Sequence, residues 1–187
     1  MAFWNEQGDD PKRNFRFKIM ISGLQGAQGM MWWAKKTGKP NFTVAESKHS
    51  FLNHTYYWPG RVEWQTITMT LVDPVVIESG FGTVSKLNEL FESSGYKPLS
   101  KSDDKLVTQS KKKFGEKLVS VSIVQLDADG NDIETWVLHQ PWIKKITYGE
   151  LDYENDDLTQ MEVEFRYDYA ICTYKNGEKN FEAGEIS

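Results

Sequence analysis

Hydrophobic and polar positions alternate with period two over most of this chain, and one stretch only changes to helical spacing. Phe15, Phe17, Ile19 and Ile21 alternate with Arg16, Lys18 and Met20, which predicts a first strand. The glycine-spaced segment Gly23–Gly29 then turns the chain into a returning strand over Met30–Lys36, and the two are expected to form a hairpin. Phe42 and Val44 alternate with Thr43 and Ala45, and Ile67, Met69 and Leu71 alternate with Thr66, Thr68 and Thr70, the signature of half-buried strands. Between them runs His49 to Arg61, a long connection with Phe51, Leu52, Tyr56, Tyr57 and Trp58 ahead of a Pro59-Gly60 turn. Loops that merely connect are short and polar, so this one is expected to touch another surface and to become ordered there.

After Pro74 the period changes. Val84, Leu87, Leu90 and Phe91 fall at helical spacing behind Thr83 as N-cap and ahead of Gly95, which predicts one helix over Thr83–Ser94, with its apolar face covering a sheet. The segment Lys97–Lys117, seven lysines against three acids, is expected to be a solvated loop able to pair with an acidic neighbour. Leu118–Leu126 and Ile133–Leu138 flank the turn residues Asp127–Asp132 and predict a second hairpin. Pro141-Trp142 breaks the ladder, Lys144–Tyr148 resumes it, and Gly149–Asp157 is an acidic loop. One last long strand is expected, in which Met161, Val163, Phe165, Tyr167, Tyr169 and Ile171 meet the core and Glu162, Glu164 and Asp168 make an acidic outer face. The pattern as a whole is mainly β: an antiparallel barrel or sandwich with one short flanking helix and a long inter-strand loop.

At 187 residues, 39% hydrophobic and 13% aromatic, the chain suits a single domain with a sizeable core. Residues 1–13 form an N-terminal arm anchored by Phe3 and Trp4, residues 14–174 a β core with the helix at 83–94, and residues 175–187 a C-terminal arm. A net charge of −5 argues against wrapping nucleic acid, though not against a conduit that repels it. The single cysteine, Cys172, excludes internal disulfides and thiolate clusters, and the start MAFWNEQGDDPKR lacks the apolar run of a signal peptide, so an intracellular, soluble product is expected, with the sequons at Asn41 and Asn53 chance matches.

No constellation carries catalysis. His49, His54 and His139 lack metal-ligand spacing, Cys172 sits on the polar phase of the last strand, and no serine occupies a nucleophile elbow. The glycines at 23, 26 and 29 lack the Lys-Ser/Thr of a phosphate loop, and Asp127–Asp132 places its glycine wrongly for a calcium loop. No cofactor and no metal is expected. Charge is unevenly spread: Glu150–Asp168 holds eight acids and one base, opposite in sign to the lysine-rich segment, an arrangement that suits copies pairing basic flank to acidic flank.

The run SKHSFLNHTYYWPGRVEWQTITMTLVDP, the helix behind it and the carboxy-terminal QPWIKKITYGELDYENDDLTQMEVEFRYDYA resemble the tail tube proteins of contractile-tailed bacteriophages. The motif residues are Asn53, Thr55, Pro59, Gly60 and Arg61, followed by Trp64, with Tyr167-Asp-Tyr-Ala170 in support. The resemblance implies a structural, non-enzymatic virion protein, made in the host cytoplasm and residing in the tail. Its hexameric rings would stack into a hollow tube that carries DNA, inside a sheath, between a baseplate or initiator and a terminator, with no membrane insertion of the subunit. It implies contacts between subunits and rings through Phe51, Leu52, Asn53, His54, Tyr56, Tyr57, Trp58 and Arg61, with Phe3 and Trp4 as further candidates. Glu162 and Glu164, or else Glu46, are the candidates to face the lumen. Tubes of bacteriocins, type VI secretion and extracellular injection particles are similar, so the resemblance leaves the cargo open. An enzyme on a split barrel and a monomeric carbohydrate-binding sandwich are the readings of other classes.

Overall fold

The computed structural model describes residues 11–22, 34–73, 83–96 and 108–181. Two antiparallel sheets and a separate hairpin account for its strands. The first sheet has the order β1-β6-β7-β10-β11, from Phe17–Ser22, Ser120–Leu126, Asp132–His139, Tyr169–Tyr174 and Lys179–Asn180. The second has the order β2-β5-β9-β8, from Ala34–Thr37, Ile67–Val72, Gln160–Arg166 and Trp142–Thr147. Strands β3 (Phe42–Phe51) and β4 (His54–Trp64) pair only with each other.

The alternation of apolar residues turns one face of each sheet toward a shared core, and β6 is buried on its other face as well. Ile19, Ile21, Val121, Ile123, Leu138 and Ala170 of the first sheet join Ile67, Met69, Leu71, Ile143, Met161, Val163 and Phe165 of the second in one cluster. Helix α1 (Thr83–Ser93) adds Leu87 and Leu90, each 1% exposed, and α2 (Lys111–Lys117) adds Phe114, with Leu118 just behind it. The C-terminal stop of α1 is Gly95, whose φ of +107° is a left-handed conformation that a side chain would strain. At its start, Val84 N–H donates to Asp73 Oδ1 at 3.5 Å, while the Thr83 hydroxyl reaches back to the Val72 carbonyl.

The structure departs from the sequence pattern at several places. The expected first hairpin is not formed: β1 pairs with β6 and β2 with β5, so the chain changes sheets between them, and Met30–Trp33 and the glycine segment lie outside the described residues. The long connection is present but is itself β structure, a two-stranded hairpin closed at Leu52-Asn53, and Pro59-Gly60 is a bulge within β4 rather than a turn. A second helix, α2, occupies the end of the lysine-rich segment, capped where the Ser110 hydroxyl accepts from Lys113 N–H. Phe114 is what makes it a helix with a buried side rather than a solvated loop.

The last strand divides. Strand β9 lies in the second sheet and β10 in the first, and the chain crosses the corner at Tyr167-Asp168, where Asp168 N–H donates to the His139 carbonyl at 3.1 Å. The crossing shifts the phase by one residue. Met161, Val163, Phe165 and Tyr167 are buried before it, Ala170 and Cys172 after it, so Cys172 is fully buried rather than on a polar face. The hairpin β6–β7 and the exposed acidic loop before β9 are as expected, whereas β8 starts earlier than expected, because Trp142 pairs with Arg166 instead of breaking the ladder.

Candidate assembly surface

The hairpin β3–β4 is exposed along nearly its whole length; only Thr55 and Trp64 are half-buried. Ten and eleven residues of strand so exposed need a reason to stand out from the body, because an isolated two-stranded hairpin is marginal in water. Its base supplies part of the answer. Phe42 and Trp64 meet edge to face at 5.1 Å, Phe181 meets both, and Trp64 lies against the buried Tyr167. Arg166 of β9 donates to Glu63 at 3.0 Å, and Gln65 N–H donates to the Asn41 carbonyl at 2.9 Å.

Just ahead of β3, Lys39 donates to Glu134 Oε1 at 2.6 Å, Lys12 bonds the other oxygen, and the Trp136 indole donates to Oε1 at 2.5 Å. Glu134 is 6% exposed. Burial works to raise its pKa, but the two ammonium groups and the indole outweigh burial and hold the carboxyl down at about 2. One buried carboxylate thus ties the N-terminal segment and the root of the hairpin to β7. Beside this clasp, between the edge of the second sheet and the end of the first, lies a groove of approximately 450 Å³ walled by Phe17, Ile123, Lys35 and Trp136.

Halfway up the hairpin the register slips between Val44–Val62 and Glu46–Pro59. A Cβ on Gly60 would stand 2.9 Å from the Ala45 carbonyl oxygen, so only glycine lets the strands close at the bulge, which also accommodates Pro59 and its missing N–H. Beyond the bulge the cross-strand pairs Ser47–Trp58, His49–Tyr56 and Phe51–His54 put five rings on one face. His54 packs edge-on to Tyr56 at 4.7 Å, Tyr56 lies 6.1 Å from Trp58, and His49 lies 6.4 Å from Trp58. Tyr57 is on the opposite face with Lys48 and Glu46. Leu52, 87% exposed, turns the chain with a φ of +52°, an unfavourable conformation for a side chain with a Cβ.

The structure therefore gathers Phe51, Leu52, Asn53, His54, Tyr56, Tyr57 and Trp58 at one tip, leaves Arg61 lower, beside the bulge, and Phe3 and Trp4 outside the described residues. Of the acidic candidates, Glu162 is exposed on β9 and Glu46 on β3. Glu164 is bound by Lys144 at 2.8 Å, its pKa lowered chiefly by that bond, so the outer face of β9 is mixed in charge rather than strongly acidic. Lys144, Lys145 and Arg166 sit among its acids. Glu134 was not foreseeable as a functional residue except by one signal: it shares a phase with Trp136 and Leu138, where an acid must be paired. Among the described residues no group of three or more His, Cys, Asp or Glu is placed to hold a metal ion, and no helix is long and apolar enough to cross a membrane.

Solved structures share this fold. A chain in the sheath–tube complex of an extracellular contractile injection system, PVC, in its extended state superposes with a TM-score of 0.57 at 12% identity, covering 93% of this chain and 99% of that one. A chain in the baseplate of the anti-feeding prophage, AFP, gives 0.57 at 12% identity, with 89% and 97% covered. One in the PVC sheath/tube terminator gives 0.56 at 12% identity, with 89% and 99% covered. No family model matches the sequence, and no curated protein does. The class defined by fold is thus the antiparallel β fold found in chains of contractile injection assemblies.

Proposed function

We propose that this chain is the tube subunit of a contractile assembly, a structural, non-enzymatic protein whose hexameric rings stack into a hollow tube inside a sheath, between a baseplate and a terminator. The carrying observation is the hairpin: a long β arm rooted by aromatic packing and two ion pairs, with five rings bare on one face of its tip. Bare aromatic surface on a fixed arm suits an interface whose anchors are Tyr and Trp. The likeness to chains of the PVC and AFP assemblies, over nearly the whole of both chains, supports the same reading.

Within that reading, the motif Asn53–Arg61 favours the inner tail tube of a contractile phage, with the hairpin reaching the adjacent ring and the lumen passing DNA. Glu162, with Glu46 as alternative, faces the lumen, and Glu164 contributes less because Lys144 neutralises it. The solved PVC and AFP structures favour a second reading, the tube of an extracellular injection particle with another cargo.

The test is sedimentation velocity over a range of concentrations. Wild-type chain is expected to sediment as rings and polymers, and Tyr57→Ala with Trp58→Ala as a folded monomer or ring of unchanged thermal midpoint. Polymers of normal length from the double variant would remove the hairpin from the interface, and a wild-type chain that stays monomeric throughout would favour a carbohydrate-binding module.

A further inference from the structure

The hairpin is not the sole surface without a partner. The loop between β8 and β9 exposes Leu151 by 89% and Leu158 by 70%, and Tyr153 completely. Asp152, Glu154, Asp156 and Asp157 stand among them, exposed, and none makes an ion pair among the described residues. Their bonds are local: Asp152 Oδ1 accepts from Glu154 N–H and Asn155 Oδ1 from Asp157 N–H, which shapes the loop without neutralising it. Apolar side chains held among uncompensated acids suit a partner that is both apolar and cationic.

The same chain carries such a surface. On α2, Lys112 and Lys117 are exposed and make no ion pair among the described residues, and Glu116 is the single acid of that helix. Val119, 60% exposed, follows the helix, and Tyr96, 48% exposed, lies against Phe91, which in turn touches Phe114 of α2. The helix is anchored at two points: Phe114 is buried and Lys111 donates to Asp168 at 2.6 Å.

The two patches sit at opposite ends of one edge strand. Asp168 follows Arg166, which pairs with Trp142 at the start of β8, whereas the acidic loop leaves from the end of β8 beyond Thr147. Six residues of strand separate them by about 17 Å. Complementary patches at two ends of one molecule make a head-to-tail contact, which closes a ring or continues a stack.

We propose that the β8–β9 loop of one copy docks on the α2 surface of the next, its acids against Lys112 and Lys117 and its apolar residues against Val119 and Tyr96. This rests on the tube reading but is a contact separate from the hairpin tip. The experiment compares wild-type full-length chain with three variants: Asp156→Lys with Asp157→Lys, Lys112→Glu with Lys117→Glu, and all four together. Each pair should raise the concentration at which polymer appears by about tenfold at low salt, and the fourfold variant should recover most of the loss. Added salt should weaken wild-type assembly in the same direction. Thermal unfolding midpoints report whether each variant folds. Polymer from both pairs at wild-type concentrations, or a fourfold variant no better than the pairs, overturns the proposal while leaving the tube reading intact. A loop variant that assembles normally but no longer binds a different protein would assign the loop to that protein and overturn it too. A wild-type chain that never assembles overturns both.

Discussion

At the scale of single residues, Glu134 shows how a charge can be kept inside a β core. Its cationic partners, Lys39 and Lys12, are 95 and 122 positions away in sequence, so the local pattern marks its buried phase beside Trp136 but not the ion pairs. Burial disfavours the carboxylate, and three donors reverse that cost and depress the pKa from its ordinary 4.5 to about 2. A depressed pKa means that the stabilisation is complete above about pH 4.5 and is lost as the pH falls toward 2, where the folded state is protonated as well. Thermal midpoints measured from pH 7 down to pH 2 should show Glu134→Gln less stable than wild type by roughly 1 to 3 kcal/mol near neutrality. The two curves should converge at the acid end. A constant gap across the range would mean that the side chain acts through packing and not through its charge.

Elements were legible where the period was clean. The strand of Ile67, Met69 and Leu71 is legible in its alternation, because β5 buries one face, and the hairpin around Asp127–Asp132 in its turn residues, although β6 is buried on both faces from Val121 to Gln125. The corner at Tyr167-Asp168 was not legible. Tyr169 and Ile171 continue the apolar rhythm in sequence, yet they lie on the other face of β10, where Tyr169 stacks on His139 at 4.5 Å, and the buried phase passes to Ala170 and Cys172. The hairpin arm looked like a loop because its apolar residues change face at the Gly60 bulge, which spoils a single period. Helix α1 is legible in the spacing of Val84, Leu87, Leu90 and Phe91, all of which pack in or against the core, and its burial gives a quantitative expectation. Leu90 is 1% exposed, so Leu90→Ala should cost about 2 to 5 kcal/mol by leaving a cavity, measured by denaturant unfolding. Lost assembly with an unchanged midpoint would place that face at an interface instead.

For the whole molecule, the class of fold is legible in the sequence, while the charge pattern changes most on folding. Glu164 of β9 and Asp168 just beyond it find Lys144 and Lys111 across strands and corners, so the acids of Glu150–Asp168 left without an ion pair among the described residues are those of the β8–β9 loop and Glu162. A channel for a polyanion must avoid cationic contacts, since each neutralised phosphate adds affinity at every ring. If Glu162 lines the lumen, then Glu162→Lys with Glu164→Lys should still form tubes but slow DNA release from assembled particles. Normal release with failed sheath binding would place this face outward. The expectations about assembly depend on the chain building a tube, and electron microscopy of the concentrated, purified chain tests that most directly. Hollow tubes of stacked sixfold rings, with the β3–β4 hairpin at the ring-to-ring contact, are the expected result; isolated monomers at every concentration, with the hairpin tip bare, would contradict it.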